Sequence, residues 1–339
     1  MSAFRAFLAK AACGEPLTRE EMRSAIGLLL DGAASDIETA GFLMALRARG
    51  ETIEEIAAAA EAMRDKAVKV AAPAGAIDTC GTGGDGAHTF NISTAAALVA
   101  AGAGAKVAKH GNRSASSKSG SSEALEALGV KLASDPGVIA REIDEAGVGF
   151  MFAAYHHRAV ANVAGVRKAL GVRTLFNLLG PLSNPAGAKR QVMGVFSRDL
   201  VEPIAGALLR LGAERAWVVH GADGLDELTT TGPSFVAEVK DGAVRAFTIE
   251  PGDAGVSVST RDALKGGVPA ENADAIRRLL DGEVSAFRDI VILNAAAALL
   301  VAGLAKDLKT GATLAAKSID DGSARAALAK LVAISNGKA

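Results

Sequence analysis

The chain has 339 residues, of which 50% are hydrophobic, and its 37 basic residues nearly balance 38 acidic ones, for a formal net charge of −1. This length and composition support a sizeable core and exclude a disordered chain, while the near-neutral charge gives no global attraction to nucleic acid or an anionic membrane. The two cysteines, Cys13 and Cys80, exclude a disulfide framework and a four-ligand zinc site, so we expect a cytoplasmic protein. Because of the near-neutral charge, we expect no nucleic-acid or membrane partner.

The first 70 residues predict a small helical domain. Three Ser or Thr residues, each followed by Glu three positions later, predict capped helix starts at Thr18, Ser35 and Thr52. Apolar residues follow each start at helical spacing. The stretch 71–75 contains Pro73 and breaks this pattern, which predicts a linker. We therefore expect an N-terminal helical domain at residues 1–72 and a second domain at 73–339.

From residue 77 onward, short apolar strands alternate with helices, which predicts a largely parallel sheet. The predicted strands after the first lie at 106–108, 149–152, 192–196 and 217–219. Two more, 235–239 and 244–249, are joined by Asp241-Gly242 and predict an antiparallel hairpin. The predicted fold is α/β, with a small N-terminal helical domain and a larger α/β domain whose central mostly parallel (mixed) sheet is flanked by helices.

No segment predicts export or a membrane span. Arg5 and Lys10 interrupt the apolar positions near the N-terminus, so a signal peptide is not expected. The longest apolar run, 290–305, contains Asn294 and falls short of the roughly 18–20 residues that cross a bilayer. We predict a buried helix there.

A glycine-rich loop at residues 78–86 follows the first predicted strand. It matches G-x-G-x-x-G, but a dinucleotide site needs an acidic residue about 20 positions later, where 106–110 is basic. It also lacks the Gly-Lys-Ser/Thr of a nucleotide P-loop. With a predicted helix start at 91–94, the loop favours a phosphate held by free backbone N–H groups. The alternative is an ordinary βα turn.

The next βα loop, 109–120, carries cations and hydroxyls without an acidic residue. A run of charge is often only a solvated loop. Here, however, both loops follow strands of a parallel sheet, and ligands bind at the carboxyl ends of such strands. Basic and hydroxyl side chains at this edge suit a ligand with several phosphates.

Asp226 and Glu227 follow the strand that ends at 219. Adjacent carboxylates repel each other, and beside a phosphate they oppose binding unless a cation is present. Magnesium takes one or two carboxylates plus phosphates and waters, so this pair could anchor it, with Ser93 as a hydroxyl contact. The alternative is a solvated turn or a helix cap.

Three further features lie between the loop at 109–120 and the Asp226-Glu227 pair. His156 and His157 lack other ligands at zinc spacing, so we do not expect a zinc site. The guanidinium of Arg167 could bind a carboxylate of a ligand with two hydrogen bonds. The alternative is a surface ion pair. The stretch 176–185 predicts a rigid turn that lines a site.

Five motifs together resemble anthranilate phosphoribosyltransferases. They are GTGGD (81–85), NIST (91–94), KHGNRSASSKSGS (109–121), FNLLGPLSNP (176–185) and LDELT (225–229). The resemblance extends from the helical N-terminus to the last helix. It implies a homodimer formed mainly through the helical domain, and transfer of the phosphoribosyl group of phosphoribosyl pyrophosphate (PRPP) to the amine of anthranilate, with Mg²⁺ as cofactor and two ions bound with PRPP.

The resemblance also implies roles for individual residues. It assigns PRPP to Gly81, Gly84, Asp85, Thr89, Asn91, Ile92, Ser93, Thr94, Lys109, His110, Gly111, Asn112, Arg113, Ser114, Ala115, Ser116, Ser117 and Ser121. It assigns metal to Ser93, Asp226 and Glu227, and anthranilate to Gly81, Asn112 and Arg167. Lys109 would stabilise the leaving group, and His110 would accept a proton late in the reaction.

Two other functions compete with this one. A nucleoside phosphorylase of related fold also cleaves a ribosyl bond, but it uses phosphate and needs no magnesium, so the Asp226-Glu227 pair counts against it. A non-catalytic, nucleic-acid-binding paralogue should be basic overall, because affinity for nucleic acid comes largely from phosphate neutralisation. The net charge of −1 counts against this second alternative.

Overall fold

The computed structural model describes residues 4–113 and 118–338. Its N-terminal part contains four helices, α1 (Phe4–Ala12), α2 (Arg19–Leu30), α3 (Asp36–Arg49) and α4 (Ile53–Lys66). The three predicted helix starts are confirmed. At Thr18, Ser35 and Thr52 the side chain accepts a hydrogen bond from the Glu three residues later, whose carboxylate accepts from the capping residue's N–H. Each capping box satisfies two backbone donors that the helix leaves free.

Seven strands of the described chain form one mixed sheet in the order β3-β2-β1-β4-β5-β6-β7. They are β1 (Ile77–Gly81), β2 (Val107–Gly111), β3 (Val148–Phe152), β4 (Arg190–Gly194), β5 (Arg215–Gly221), β6 (Ser234–Lys240) and β7 (Ala243–Ile249). Strands β1 to β5 are parallel to one another, whereas β6 pairs antiparallel with both β5 and β7. The predicted fold class and hairpin are confirmed. Both turn residues, Asp241 (φ 51°) and Gly242 (φ 75°), are left-handed, as a two-residue Asp-Gly hairpin turn requires.

Helices cover both faces of the sheet. They are α5 (Ile92–Gly102), α6 (Ser121–Ala127), α7 (Pro136–Arg141), α8 (Ala153–His156), α9 (Ala161–Leu170), α10 (Phe176–Leu182), α11 (Val201–Arg210), α12 (Pro269–Leu280), α13 (Ala286–Ala302), α14 (Leu308–Asp320) and α15 (Ser323–Ser335). The predicted buried helix at 290–305 corresponds to α13. Among the described residues, no helix has both the length and the apolar character that crossing a bilayer requires.

The two faces of the sheet belong to different cores. Along β5, Val218 packs into a cluster with residues of α2 to α4, α10 and α11, whereas Trp217 packs into a cluster with α5 and α12 to α15. This alternation follows from the period of two along a strand. The N-terminal helices therefore share a core with one face of the sheet.

A π-helical turn, Glu142–Ala146, follows α7 and buries a carboxyl group. Glu142 is 1% exposed, and its Oε1 has no partner among the described residues. Burial raises the pKa of Glu142 from 4.5 to about 7, against an opposing backbone hydrogen bond from Phe150. The folded state therefore holds this proton at pH values where the unfolded chain has lost it.

We expect Glu142→Gln to stabilise the protein at pH 8. The stability that the protonated carboxyl contributes is fully present below the unfolded pKa of 4.5 and is lost as the pH rises through 7. At pH 8 the free energy of unfolding of the Gln variant should exceed that of the wild type by on the order of 1–3 kcal/mol, and at pH 5 by much less. Urea midpoints at both pH values measure this. Glu145→Gln, in the same turn but ion-paired with Arg141 at the surface, should change neither midpoint, and a pH-independent effect of Glu142→Gln would contradict the assignment.

Candidate active site

Four neighbouring parallel strands end in glycine at the same edge of the sheet: Gly81 (β1), Gly111 (β2), Gly194 (β4) and Gly221 (β5). At Gly194, a Cβ would lie 1.5 Å from the carbonyl oxygen of Asp226, and at Gly81 it would lie 2.4 Å from Asp226 Oδ2. The loop that carries Asp226 and Glu227, called here the acidic loop (residues 222–231), therefore lies directly over the ends of β1 and β4.

The two carboxylates bind backbone N–H groups of other elements. Asp226 Oδ2 accepts a 2.7 Å hydrogen bond from Gly83 N in the glycine-rich loop. Glu227 Oε1 accepts a 3.1 Å hydrogen bond from Ser93 N in the first turn of α5. A helix N-terminus favours negative charge, so α5 stabilises Glu227 in particular. The structure thus brings three of the sequence motifs together around the acidic pair.

The acidic pair is short of positive charge. Burial, followed by the neighbouring Asp85, raises the pKa of Asp226. Burial, followed by Asp226 itself, raises the pKa of Glu227, and Lys109 opposes this rise. Removing two adjacent carboxylates from water and leaving them ionised is unfavourable without a further cation.

This donor set fits magnesium. The described residues contain no group of three or more His, Cys, Asp or Glu side chains that could hold a metal alone. Magnesium does not require one, because it commonly binds one or two carboxylates together with substrate phosphates and waters. In each carboxylate, one oxygen accepts a hydrogen bond from a backbone N–H. Ser93, the predicted hydroxyl contact for magnesium, lies beside Glu227.

Lys109 is connected to Glu227 through two intermediate residues. Lys109 is 2% exposed, and its Nζ donates to the carbonyl oxygen of Thr79 on β1. Thr79 Oγ1 donates to Ser93 O at 3.3 Å, and Ser93 N is the donor to Glu227. The buried side chain of Lys109 also supplies positive charge near Glu227, which opposes the rise in the pKa of that carboxyl.

Asp78 is a buried carboxylate for which no sequence motif predicts a role. It accepts hydrogen bonds from His110 N at 3.1 Å and from Asn184 Nδ2 at 2.7 Å. Burial raises the pKa of Asp78 to about 6, against opposing contributions from Lys109 and these hydrogen bonds. Asn184 also donates to Ala108 O at 2.9 Å, so its side chain joins the second residues of β1 and β2. The prediction of a rigid turn at 176–185 is wrong for the first seven residues, which form helix α10.

His110 is a neutral imidazole. Its Nδ1 lies 3.0 Å from the carbonyl oxygen of Gly180, an acceptor, so Nδ1 carries the proton. Its Nε2 is buried without a partner among the described residues, and its ring centroid lies 5.0 Å from that of His157. Burial first, then His157 and His156, holds the pKa of His110 well below 6.5. An imidazole in this environment is a weak base.

In the loop at residues 109–120, called here the basic loop, Asn112 and Arg113 are exposed, whereas Lys109 is buried. Asn112 Oδ1 accepts a 2.8 Å hydrogen bond from Arg113 N, and Arg113 forms a 3.1 Å ion pair with Glu126 of α6. Ser121 Oγ donates to Asn112 O at 3.3 Å, which ties the two ends together. Ser114, Ala115, Ser116 and Ser117, which the resemblance assigns to PRPP, lie outside the described residues.

Asn91 connects three segments. Its Oδ1 accepts hydrogen bonds from Asn272 Nδ2 at 2.8 Å and from Ser119 Oγ at 3.1 Å. Asn272 Oδ1 in turn accepts from Gly267 N at 2.8 Å. The side-chain oxygen of Asn91, a predicted ligand residue, thus accepts two hydrogen bonds. Through them Asn91 holds the basic loop against the start of α12. Asn272 carried no sequence signal.

The remaining predicted residues surround this centre. Ile92 is buried at the start of α5, and Thr94 Oγ1 is buried without a partner in the described chain. Thr89 forms a bridge with Lys265. Asp85 Oδ1 accepts from Ala87 N at 3.2 Å, which shapes the glycine-rich loop next to Asp226.

Two arginines approach this region from the α9–α10 segment. Arg167 is half-buried, lies 5.4 Å from the Phe176 ring centroid, and forms no ion pair with any described residue. Burial lowers the pKa of Arg167, and no acidic side chain opposes this shift. Arg173, which the sequence analysis did not identify, stacks 4.0 Å from the Phe196 ring centroid and donates to Gly84 O. Arg173 therefore holds the glycine-rich loop, where Gly84 is left-handed at φ 77°.

Comparison with known proteins gives consistent matches along the whole chain. Two family models match, the "Glycosyl transferase family, helical bundle domain" at residues 5–67 and the "Glycosyl transferase family, a/b domain" at 74–325. The anthranilate phosphoribosyltransferase of Parvibaculum lavamentivorans is 58% identical over 338 residues, covering 100% of this chain and 99% of that protein. The crystal structure of anthranilate phosphoribosyltransferase from Thermus thermophilus has a TM-score of 0.93 at 47% identity, covering 97% of this chain and 99% of that one. The Saccharomyces cerevisiae enzyme in complex with PRPP and Mg has a TM-score of 0.90 at 27% identity, covering 98% of each chain.

Proposed function

This chain belongs to the anthranilate phosphoribosyltransferase family, and we propose that its glycine-lined cleft transfers the phosphoribosyl group of PRPP to the amine of anthranilate, in L-tryptophan biosynthesis. The products are N-(5-phosphoribosyl)anthranilate and pyrophosphate. The observation that carries this proposal is the acidic pair held over the ends of β1 and β4 by N–H groups of Gly83 and Ser93. Such a pair suits a magnesium-bound polyphosphate.

The PRPP site comprises the loops that converge on this pair. We assign it to the residues named above in the glycine-rich loop, the start of α5 and the basic loop. Asp226 and Glu227, with Ser93, would hold magnesium, with two ions present when PRPP is bound. Bound magnesium would neutralise the negative charge that builds on pyrophosphate as its bond to ribose breaks.

The protein's own groups act on the same charge. Lys109 adds a buried positive charge near Glu227, and the first turn of α5 presents N–H groups to the cleft. The amine of anthranilate is unprotonated at neutral pH, so catalysis can depend on positioning and leaving-group stabilisation. A neutral, weakly basic His110 agrees with a reaction that needs no strong base.

Anthranilate requires a cation for its carboxylate. Arg167 offers a half-buried guanidinium without an acidic partner among the described residues, next to α10. Gly180 of α10 also binds His110, so this helix connects the arginine to the end of β2. We assign anthranilate to Arg167, Asn112 and Gly81, with Arg167 binding the carboxylate.

Loss of anthranilate fluorescence on mixing purified protein with PRPP tests this function. Turnover should require magnesium. Arg167→Met should raise KM for anthranilate at least about 10-fold while KM for PRPP stays near the wild-type value, because only the anthranilate carboxylate loses its partner. Lys168→Met, the neighbouring exposed cation, is the control. Folded protein that shows no turnover with magnesium would overturn the proposal.

We further propose that the chain forms a cytoplasmic homodimer through the helical domain, residues 1–72, with the catalytic domain at 73–339. Helix α3 supports the interface, because Ile37 is 85% exposed and Met44, two turns later on the same face, is 37% exposed. The exposed free thiol of Cys13 is consistent with a reducing compartment.

Ile37→Asp/Met44→Asp should therefore convert the dimer to a monomer at micromolar concentration, since charge at the centre of an apolar interface leaves it unpaired and desolvated. Sedimentation velocity measures this directly. Val284→Asp changes a residue that is 87% exposed in the catalytic domain and should leave the dimer intact. A double variant that sediments as the wild type would place the interface elsewhere.

A further inference from the structure

Asn294 is a polar residue within a helix that is otherwise apolar around it. It lies in α13 and is 3% exposed, and its neighbours Leu293 and Ala295 are fully buried. A buried amide is unfavourable unless its donors and acceptor are paired. The positions of its partners therefore show what this side chain contributes.

Asn294 bonds to both backbone groups of one residue. Its Oδ1 accepts a 3.0 Å hydrogen bond from Leu228 N, and its Nδ2 donates to Leu228 O at 2.9 Å. A second Nδ2 hydrogen bond goes to Ile290 O in its own helix, also at 2.9 Å. Asn294 thus pairs with residue 228 as an adjacent strand would.

Leu228 needs such a partner because the acidic loop has no regular structure. The loop belongs to no helix or strand, yet Leu225, Leu228 and Thr229 are buried. Several of its backbone groups bond to side chains, as where Thr229 N donates to Ser234 Oγ at 2.9 Å. A buried backbone N–H or C=O without a partner is unfavourable, so its loss of a partner would favour a displaced loop in which the group reaches water.

Glu227 directly precedes Leu228 and is therefore held at both ends. Its carboxylate accepts from Ser93 N on α5, and the following peptide is held by Asn294 on α13. Helices α5 and α13 pack against each other in the same core. Both constraints on Glu227 consequently arise from one rigid helix pair.

We propose that Asn294 is a positioning residue that holds the Glu227 carboxylate where the divalent cation of the reaction binds. This inference rests on the proposed function, which assigns the cation to Asp226 and Glu227. Groups that orient a metal ligand typically change metal affinity or activity by about 10–100-fold when removed. Asn294 does so through the backbone of the ligand residue.

Equilibrium dialysis of Mn²⁺ against protein with PRPP, without anthranilate, tests the proposal in the absence of turnover. Asn294→Ala should weaken Mn²⁺ retention about 10-fold or more. Asn294→Leu should do the same, and it fills the volume of the amide if the alanine variant does not fold. In turnover assays the magnesium concentration for half-maximal rate should rise in both variants, while kcat at saturating magnesium recovers most of its wild-type value.

Two further variants separate the possible outcomes. Ser318→Ala removes a different buried hydrogen bond between helices, in which Ser318 Oγ of α14 donates to Val99 O of α5 at 2.9 Å. This bond does not involve the acidic loop. The Ser318→Ala variant should retain Mn²⁺ as the wild type does. If the Asn294 variants also bind Mn²⁺ normally while Glu227→Gln binds it weakly, the positioning role is wrong and the proposed function stands. If Glu227→Gln binds Mn²⁺ normally, the metal assignment of the proposed function fails.

Discussion

Asp226→Asn/Glu227→Gln is expected to unfold at higher urea concentration than the wild type at pH 8, and to lose at least about 1000-fold of its magnesium-dependent turnover. Both effects have one cause. Burial raises the pKa of each carboxyl, so ionising the pair at high pH opposes folding in the absence of metal. The amide oxygens of Asn and Gln can still accept from Gly83 N and Ser93 N, so the loop keeps its hydrogen bonds.

The sign of the pH dependence follows from the direction of these shifts. Because the folded pKa values lie above the unfolded ones, the folded state binds more protons across that interval, and stability falls as the pH rises through it. The double variant does not titrate there. Its advantage should grow from pH 5 to pH 8 and reach on the order of 1 kcal/mol or more.

Urea midpoints at pH 5 and pH 8 without metal, together with turnover at saturating magnesium, measure the two effects. Asp262→Asn is the matched control, since Asp262 is an exposed carboxylate in a surface ion pair with Lys265. It should change stability by less than about 0.5 kcal/mol and leave turnover intact. A double variant that is less stable than the wild type at pH 8 would show that the pair is neutralised without metal.

Local patterns in the sequence account for most of the fold. The capping boxes at Thr18, Ser35 and Thr52 depend on residues three apart, and the strand pattern depends on neighbours two apart. Asp241-Gly242 likewise determines its own turn. The loops of the candidate site were predictable for a related reason, because strands that alternate with helices place their carboxyl ends at one edge.

The supporting residues of the site were not predictable in this way. Each of these residues bonds to a partner far away in the chain: 89 positions for Arg173, 181 for Asn272 and 66 for Asn294. No local sequence pattern marks them. Asn294 was visible only as a polar interruption in an apolar run. Its partner, Leu228, becomes evident only when α13 packs under the acidic loop.

Gly194→Ala is expected to lower kcat about 100-fold or more and to weaken the response to magnesium. Gly194 is the last residue of β4, and the sequence shows only a glycine in a predicted strand. An added Cβ would lie 1.5 Å from the carbonyl oxygen and 2.3 Å from the carbonyl carbon of Asp226, so the backbone of the acidic loop would have to move. A displacement of about 1 Å at a catalytic group can reduce the rate by about 100-fold.

Gly81→Ala differs from Gly194→Ala in the group that it meets, and the pair of variants therefore tests the cause. The added Cβ at Gly81 lies 2.4 Å from Asp226 Oδ2, which belongs to a side chain that can rotate away, although it would lose the hydrogen bond from Gly83 N. Gly81→Ala should fold with nearly wild-type stability but need more magnesium, whereas Gly194→Ala should also unfold earlier because its clash is with backbone. Magnesium titrations of turnover and urea midpoints distinguish the two. Gly232→Ala, where an added Cβ has no atom within 4 Å, should behave as the wild type. Wild-type kcat and magnesium response in Gly194→Ala would mean that the acidic loop does not rest on β4 when the enzyme works.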